Sequence, residues 1–107
     1  MQENINSSKI NEQKLNDFML RAVGDIASTI SAVLVLIGYR LGLYKAMALL
    51  GKPFTSEELA KKTNTNERLI KEWLANQVAS GFIIYNASNA EYSLPPEQAM
   101  ALADENS

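Results

Sequence analysis

Residues 54–74, Phe-Thr-Ser-Glu-Glu-Leu-Ala-Lys-Lys-Thr-Asn-Thr-Asn-Glu-Arg-Leu-Ile-Lys-Glu-Trp-Leu, hold two short helical patterns around a polar turn. Thr55 and Glu58 have the spacing of a capping box, in which the hydroxyl accepts from the first turn and the carboxylate reaches back to the cap. A helix running to about Lys62 follows from that start. Asn64 tolerates the left-handed backbone that a tight turn needs, and Thr65 is placed to cap the next helix. In that helix Leu69, Ile70, Trp73, Leu74 and Val78 keep helical spacing, with Gln77 as the polar exception, and the helix should end near Ser80 at Gly81. Such a pair serves two unrelated purposes, reading DNA and building a helical docking module.

Downstream, Phe82-Ile83-Ile84-Tyr85 and Glu91-Tyr92-Ser93-Leu94 are strand candidates rich in aromatic and β-branched residues, joined by residues 86–90. Pro95-Pro96 ends that hairpin, and Pro96 suits the first turn of a last helix from Glu97 to about Ala103. Upstream, Gly51 and Pro53 stop a short helix over 43–50, and Gly38 and Gly42 mark a bend or a close helix contact. From about Lys14, Phe18, Ala22, Ile26, Ile30, Leu34 and Ile37 recur at steps of three and four, flanked by Leu15, Met19, Val23 and Ala27. Beyond Ile30 the apolar character spreads around the helix through Val33, Val35 and Leu36, so more than one face needs cover. Such a helix is either central in its own bundle or packed against a second copy of the chain, and its breadth favours the second.

The expected fold is therefore mainly α, a winged helix-turn-helix with a long N-terminal dimerisation helix and a small β-hairpin wing. Residues 1–13 form a flexible polar tail, 14–50 a helical dimerisation segment, 51–95 the winged helix, and 96–107 a terminal helix leading into a linker. The dimer interface is expected at Phe18, Ala22, Ile26, Ile30, Val33, Leu34 and Ile37.

With 107 residues, 47% of them hydrophobic, the chain suffices for one core without staples. It has neither Cys nor His, which removes disulfides, thiolate nucleophiles, the usual zinc ligands and every triad built on His. Adjacent carboxylates at Glu57-Glu58 and Asp104-Glu105 look like caps or solvated termini, and the five glycines form no phosphate-cradling loop. No catalytic, cofactor-binding or metal-binding residue is expected. Asp25 and Arg40 fit helix ends or an interface rim, and Trp73 fits a core anchor with its indole nitrogen bonded nearby.

Net charge is −2 and the pI about 5.1, whereas an autonomous nucleic-acid binder is usually basic. Within the motif Lys61, Lys62, Arg68 and Lys71 are matched by Glu57, Glu58, Glu67 and Glu72, and the pairs Glu67–Lys71 and Arg68–Glu72 have the spacing to form on a solvated face. If the motif did read DNA, Asn66, Arg68 and Lys71 would make the contacts. The polar opening residues lack the basic start and apolar stretch of a secretory signal, so the default location is cytoplasmic. The uncharged stretch from Ile26 to Tyr39 is too short to span a bilayer, so no membrane is expected.

Four strings then carry a family resemblance. Residues 37–46 (Ile-Gly-Tyr-Arg-Leu-Gly-Leu-Tyr-Lys-Ala), 55–60 (Thr-Ser-Glu-Glu-Leu-Ala), 66–74 (Asn-Glu-Arg-Leu-Ile-Lys-Glu-Trp-Leu) and 92–99 (Tyr-Ser-Leu-Pro-Pro-Glu-Gln-Ala) resemble, in order and spacing, the N-terminal region of class I S-adenosylmethionine-dependent methyltransferases. Asn64 stands where relatives tend to carry Gly, a change that keeps the left-handed turn. The resemblance implies a winged-helix domain that dimerises and closes over the substrate side of an active site in a following Rossmann-like domain. It implies a homodimer, a small-molecule substrate and S-adenosylmethionine as cofactor of the full-length protein, with the present chain a catalytically inactive fragment lacking the catalytic domain. Phe18, Met19 and Arg21 are the substrate-contact candidates it suggests. The alternatives are a standalone winged-helix transcription regulator, for which the terminal Leu-Pro-Pro-Glu segment has no use, and a pure interaction adaptor.

Overall fold

The computed structural model describes residues 9–103, so the expected tail up to Ser8 and the linker start beyond Ala103 lie outside the described residues. Five helices and one hairpin follow in the order α1 (Glu12–Arg40), α2 (Leu43–Leu50), α3 (Ser56–Thr63), α4 (Glu67–Ala79), β1 (Ile84–Asn86), β2 (Glu91–Ser93) and α5 (Pro96–Ala103). The chain divides into two compact units, Met1–Ile30 and Ser31–Ser107.

The first unit holds the N-terminal part of α1. Helix α1 begins two residues earlier than the apolar periodicity suggests, because Asn11 accepts a hydrogen bond from the Lys14 amide at 3.0 Å and caps it. Gln13 donates to Asp17 one turn on, and the Thr29 hydroxyl donates to the Asp25 carbonyl. Apart from half-buried Ala22, every described residue of this unit is exposed.

The second unit contains the core. Leu43, Tyr44, Met47, Phe54, Leu59, Ile70, Trp73, Leu74 and Ile83 form one buried cluster against which Leu34, Val35 and Val78 pack. Local chemistry sets its helices. Gly51 ends α2 at φ 65, its amide donating to the Met47 carbonyl. Both halves of the capping box form on α3: the Thr55 hydroxyl accepts from the Glu58 amide at 3.1 Å, and the Thr55 amide donates to Glu58 Oε1 at 2.8 Å. Asn64 takes the left-handed conformation at φ 55. The cap of α4 is Asn66 rather than Thr65: Asn66 Oδ1 accepts the Leu69 amide, while the Thr65 hydroxyl is shared with Thr63.

The wing is antiparallel, pairing Ile84 with Ser93, Tyr85 with Tyr92 and Asn86 with Glu91. Its first strand starts two residues later than the apolar run Phe82-Ile83 suggests. Those two residues bond the Gln77 carbonyl through their amides, so Ile83 turns into the core instead of joining the sheet. Phe54 adds a bridge to Tyr92 through reciprocal backbone bonds of 2.9 and 2.7 Å, tying the start of the helix pair to the wing.

One close approach fastens α1 to the core. Gly38 is buried, and a methyl group at that position would overlap the Trp73 ring. The indole Nε1 donates to the Leu34 carbonyl at 2.9 Å, and the Ser31 and Ser80 hydroxyls meet at 2.9 Å. The expected role of Trp73 as a hydrogen-bonded core anchor holds. We expect Gly38→Ala to destabilise the chain by about 1–3 kcal/mol, because the indole is rigid and boxed in by Tyr44. Thr55→Ala should cost about 1 kcal/mol through loss of the cap. Thermal denaturation followed by circular dichroism measures both.

Candidate functional site

The helix pair supplies the first candidate surface. Its exposed charges are of both signs and engage one another: Arg68 Nε lies 4.0 Å from Glu72 Oε2, and Lys52 Nζ lies 3.5 Å from Glu58. Glu67 does not reach for Lys71; it accepts the Ser56 hydroxyl at 2.9 Å and stitches α3 to α4. The Thr55 amide, aided by the Lys52 ammonium, holds the Glu58 carboxyl below its ordinary pKa. Of the DNA-contact candidates, Asn66 spends its side-chain oxygen on its own helix cap, while Arg68 and Lys71 are exposed.

The turn that a DNA reader would present also carries an apolar feature the sequence reading did not single out. Ile37 and Leu41 from the end of α1 and its following turn form an open groove with Thr65, Leu69, Ile70 and Trp73, with a volume of about 370 Å³. Leu69 is 64% exposed and Leu41 58%. The α4 pattern carried little signal, since Leu69 is exposed beside buried Ile70 whereas the equally adjacent Trp73 and Leu74 are both buried.

On α1 the seven expected interface residues separate. Phe18, Ile26, Ile30, Val33 and Ile37 are exposed and Ala22 is half-buried, whereas Leu34 packs on the chain's own core and offers its carbonyl to Trp73. Leu34 therefore belongs to the inward face with Val35 and Gly38. The substrate-contact candidates Phe18 and Met19 are exposed, and the Arg21 guanidinium lies 6.0 Å from the centre of the Phe18 ring. The expectation of no membrane span rested on the short uncharged stretch 26–39, but α1 runs unbroken for 29 residues and is long and apolar enough to cross a bilayer by length and composition.

Acid–base chemistry has little to work with. Among the described residues no group of His, Cys, Asp or Glu could hold a metal ion. The buried Tyr44 phenol is pushed up to about 12 by desolvation, and its hydroxyl donates to Gln77 Oε1. This bond explains the polar exception in the α4 stripe: Gln77 is fully buried to receive Tyr44.

A capped helix pair, a two-stranded wing bridged to it and a long preceding helix define a winged helix-turn-helix domain. Residues 29–104 match the model of the Rv2258c-like winged HTH domain, and the chain belongs to that family. Solved structures with the same fold include PigF with SAH, at 16% identity and TM-score 0.71 over 80% of this chain and 27% of that one. A candidate O-methyltransferase from Nostoc punctiforme aligns at 21% identity and TM-score 0.69, over 78% of this chain and 25% of its own. CalO1, a methyltransferase in calicheamicin biosynthesis in its SAH-bound form, aligns at 18% identity and TM-score 0.66, over 83% and 26%. This chain thus spans about a quarter of each solved chain. No curated protein sequence matches it.

The balanced charges and the apolar groove are poor partners for phosphates. We expect no salt-sensitive mobility shift with duplex DNA. A shift abolished by Arg68→Ala together with Lys71→Ala would instead assign the helix pair to DNA.

Proposed function

We propose that this winged helix serves a SAM-dependent small-molecule methyltransferase as its dimerisation and substrate-covering domain, the methyl transfer itself belonging to a separate catalytic domain. The observation that carries this reading is the fold shared with PigF and CalO1 over 80% and 83% of the chain. Three features are consistent with it. No His or Cys is present for nucleophilic or metal chemistry. The recognition turn has no excess of positive charge. Apolar side chains are exposed on α1 at Phe18, Ile26 and Ile30 and, within the second unit, at Val33 and Ile37, where Leu34 and Gly38 face the core.

In this reading α1 supplies the homodimer contact, and Phe18, Met19 and Arg21 lie toward the substrate of the whole enzyme. The end of α1 is held against protein at Leu34 and Gly38, and we place the domain in the cytoplasm. S-adenosylmethionine would be held by the catalytic domain and not by these residues.

Two measurements on the isolated chain test the proposal. Sedimentation equilibrium should give a dimer, and a strictly monomeric chain would remove α1 as the dimer contact. Titration calorimetry with S-adenosylmethionine should show no heat of binding, whereas micromolar affinity would place cofactor recognition in this domain and overturn the division of labour.

A further inference from the structure

We infer that the cleft between the end of α1 and the end of α5 takes the chain's own next residues, the carboxylates of Asp104 and Glu105, against the Arg40 guanidinium and the Lys45 ammonium. The inference concerns this chain alone and does not depend on the methyltransferase role.

Tyr39, Arg40, Gly42, Lys45, Leu102 and Ala103 line the cleft, whose volume is about 300 Å³. All six belong to the second compact unit. The fold fixes both walls. Leu102 and Ala103 pack against the core and hold the end of α5 in place. On the other side Gly42 takes φ 73 and its amide donates to the Tyr39 carbonyl at 3.1 Å, so the chain turns from α1 into α2 between Arg40 and Lys45. That turn brings both cationic residues to one cleft.

Charge then selects the occupant. Of the lining residues two are positive and none is negative. Helix α2 adds to the imbalance, because it starts on Gly42, which has no side chain to cap it, and has no acidic residue in its first turn. By contrast α3 and α4 start on Thr55 and Asn66, with Glu57, Glu58 and Glu67 in their first turns. The positive end of the α2 peptide dipoles therefore favours an anion on the same side as the two cations.

Proximity decides which anion. Ala103 is a wall of the cleft and also the residue before Asp104-Glu105, the first acidic residues after Glu97. Consecutive Cα atoms lie about 3.8 Å apart, which puts Asp104 one step and Glu105 two steps from that wall. Almost no chain entropy is spent in closing so short a span. A separate anion would compete with tethered carboxylates at high effective concentration. Docked in this way, the acidic pair ties the exit of the chain from α5 to the turn between α1 and α2.

A double-mutant cycle on the 107-residue chain, read as Tm by circular dichroism, tests the inference. One arm removes the anions, Asp104→Asn with Glu105→Gln, and the other removes the cations, Arg40→Gln with Lys45→Gln. Arg40 and Lys45 are exposed, so the fold should survive, and the far-ultraviolet spectrum verifies it. The Tm losses of the two arms should fail to add by about 2 °C or more, the combined variant losing less than their sum. Pairing the anion arm instead with Lys71→Gln, an exposed cation of α4 outside the cleft, should give additive losses. Additive losses between the anion and cation arms would overturn the inference and leave the cleft to an anion from outside the chain. Equal non-additivity with Lys71→Gln would also overturn it, since the effect would then report the net charge of the chain and not the cleft.

Discussion

The Trp73 indole occupies the space where a side chain at position 38 would stand, and its nitrogen donates to the Leu34 carbonyl one turn before. This contact fixes which face of α1 points inward. Gly38, Leu34 and Val35 turn to the core, and Val33 and Ile37 are left outside. Together with the Ser31–Ser80 hydroxyl pair and the packing of Leu34 and Val35, the indole contact holds the end of α1 against α4. Burying the ring beside Tyr44 supplies the stabilisation, since removing such a side chain costs about 3–5 kcal/mol.

The same arrangement bears on the choice between a DNA reader and a docking module. In a DNA reader the start of the second helix needs long polar side chains free to reach base edges, with net positive charge behind them. Here Asn66 is tied to its own helix, Glu67 is tied to Ser56, Arg68 sits by Glu72, and Leu69 projects into solvent. Each of these is a local structural use of a position that DNA recognition would claim. Asn66 and Glu67 serve the fold, while Arg68 and Lys71 stay exposed beside the apolar Leu69.

Most of the fold was legible in the sequence because its signals are local. The Thr55–Glu58 box, the Asn64 turn and the Gly51 stop each depend on a few neighbouring residues, and each formed. The errors arose where tertiary contacts decide. Phe82 and Ile83 have strand character, yet the Gln77 carbonyl captures both amides and Ile83 enters the core. Thr65 and Asn66 are both competent caps, and pairing with Thr63 leaves the role to Asn66. Leu34 sits on the same helical stripe as Ile30 and Ile37, and periodicity could not reveal that Trp73 claims that turn. The groove was illegible for a related reason: it is built from residues far apart in sequence, and the adjacent pairs Leu69-Ile70 and Trp73-Leu74 look alike in the α4 pattern although only Leu69 is left outside.

A winged helix-turn-helix domain spanning about a quarter of each solved chain it resembles invites the question of what else the native polypeptide contains. The most direct measurement is the mass of that polypeptide in its source cells, detected with an antibody raised to residues 9–103. We expect a band several-fold heavier than the 11.8 kDa of this chain, with a methyltransferase domain in the same polypeptide. A band at 11.8 kDa would contradict the proposed role and make this a free-standing module whose partners are other proteins or DNA.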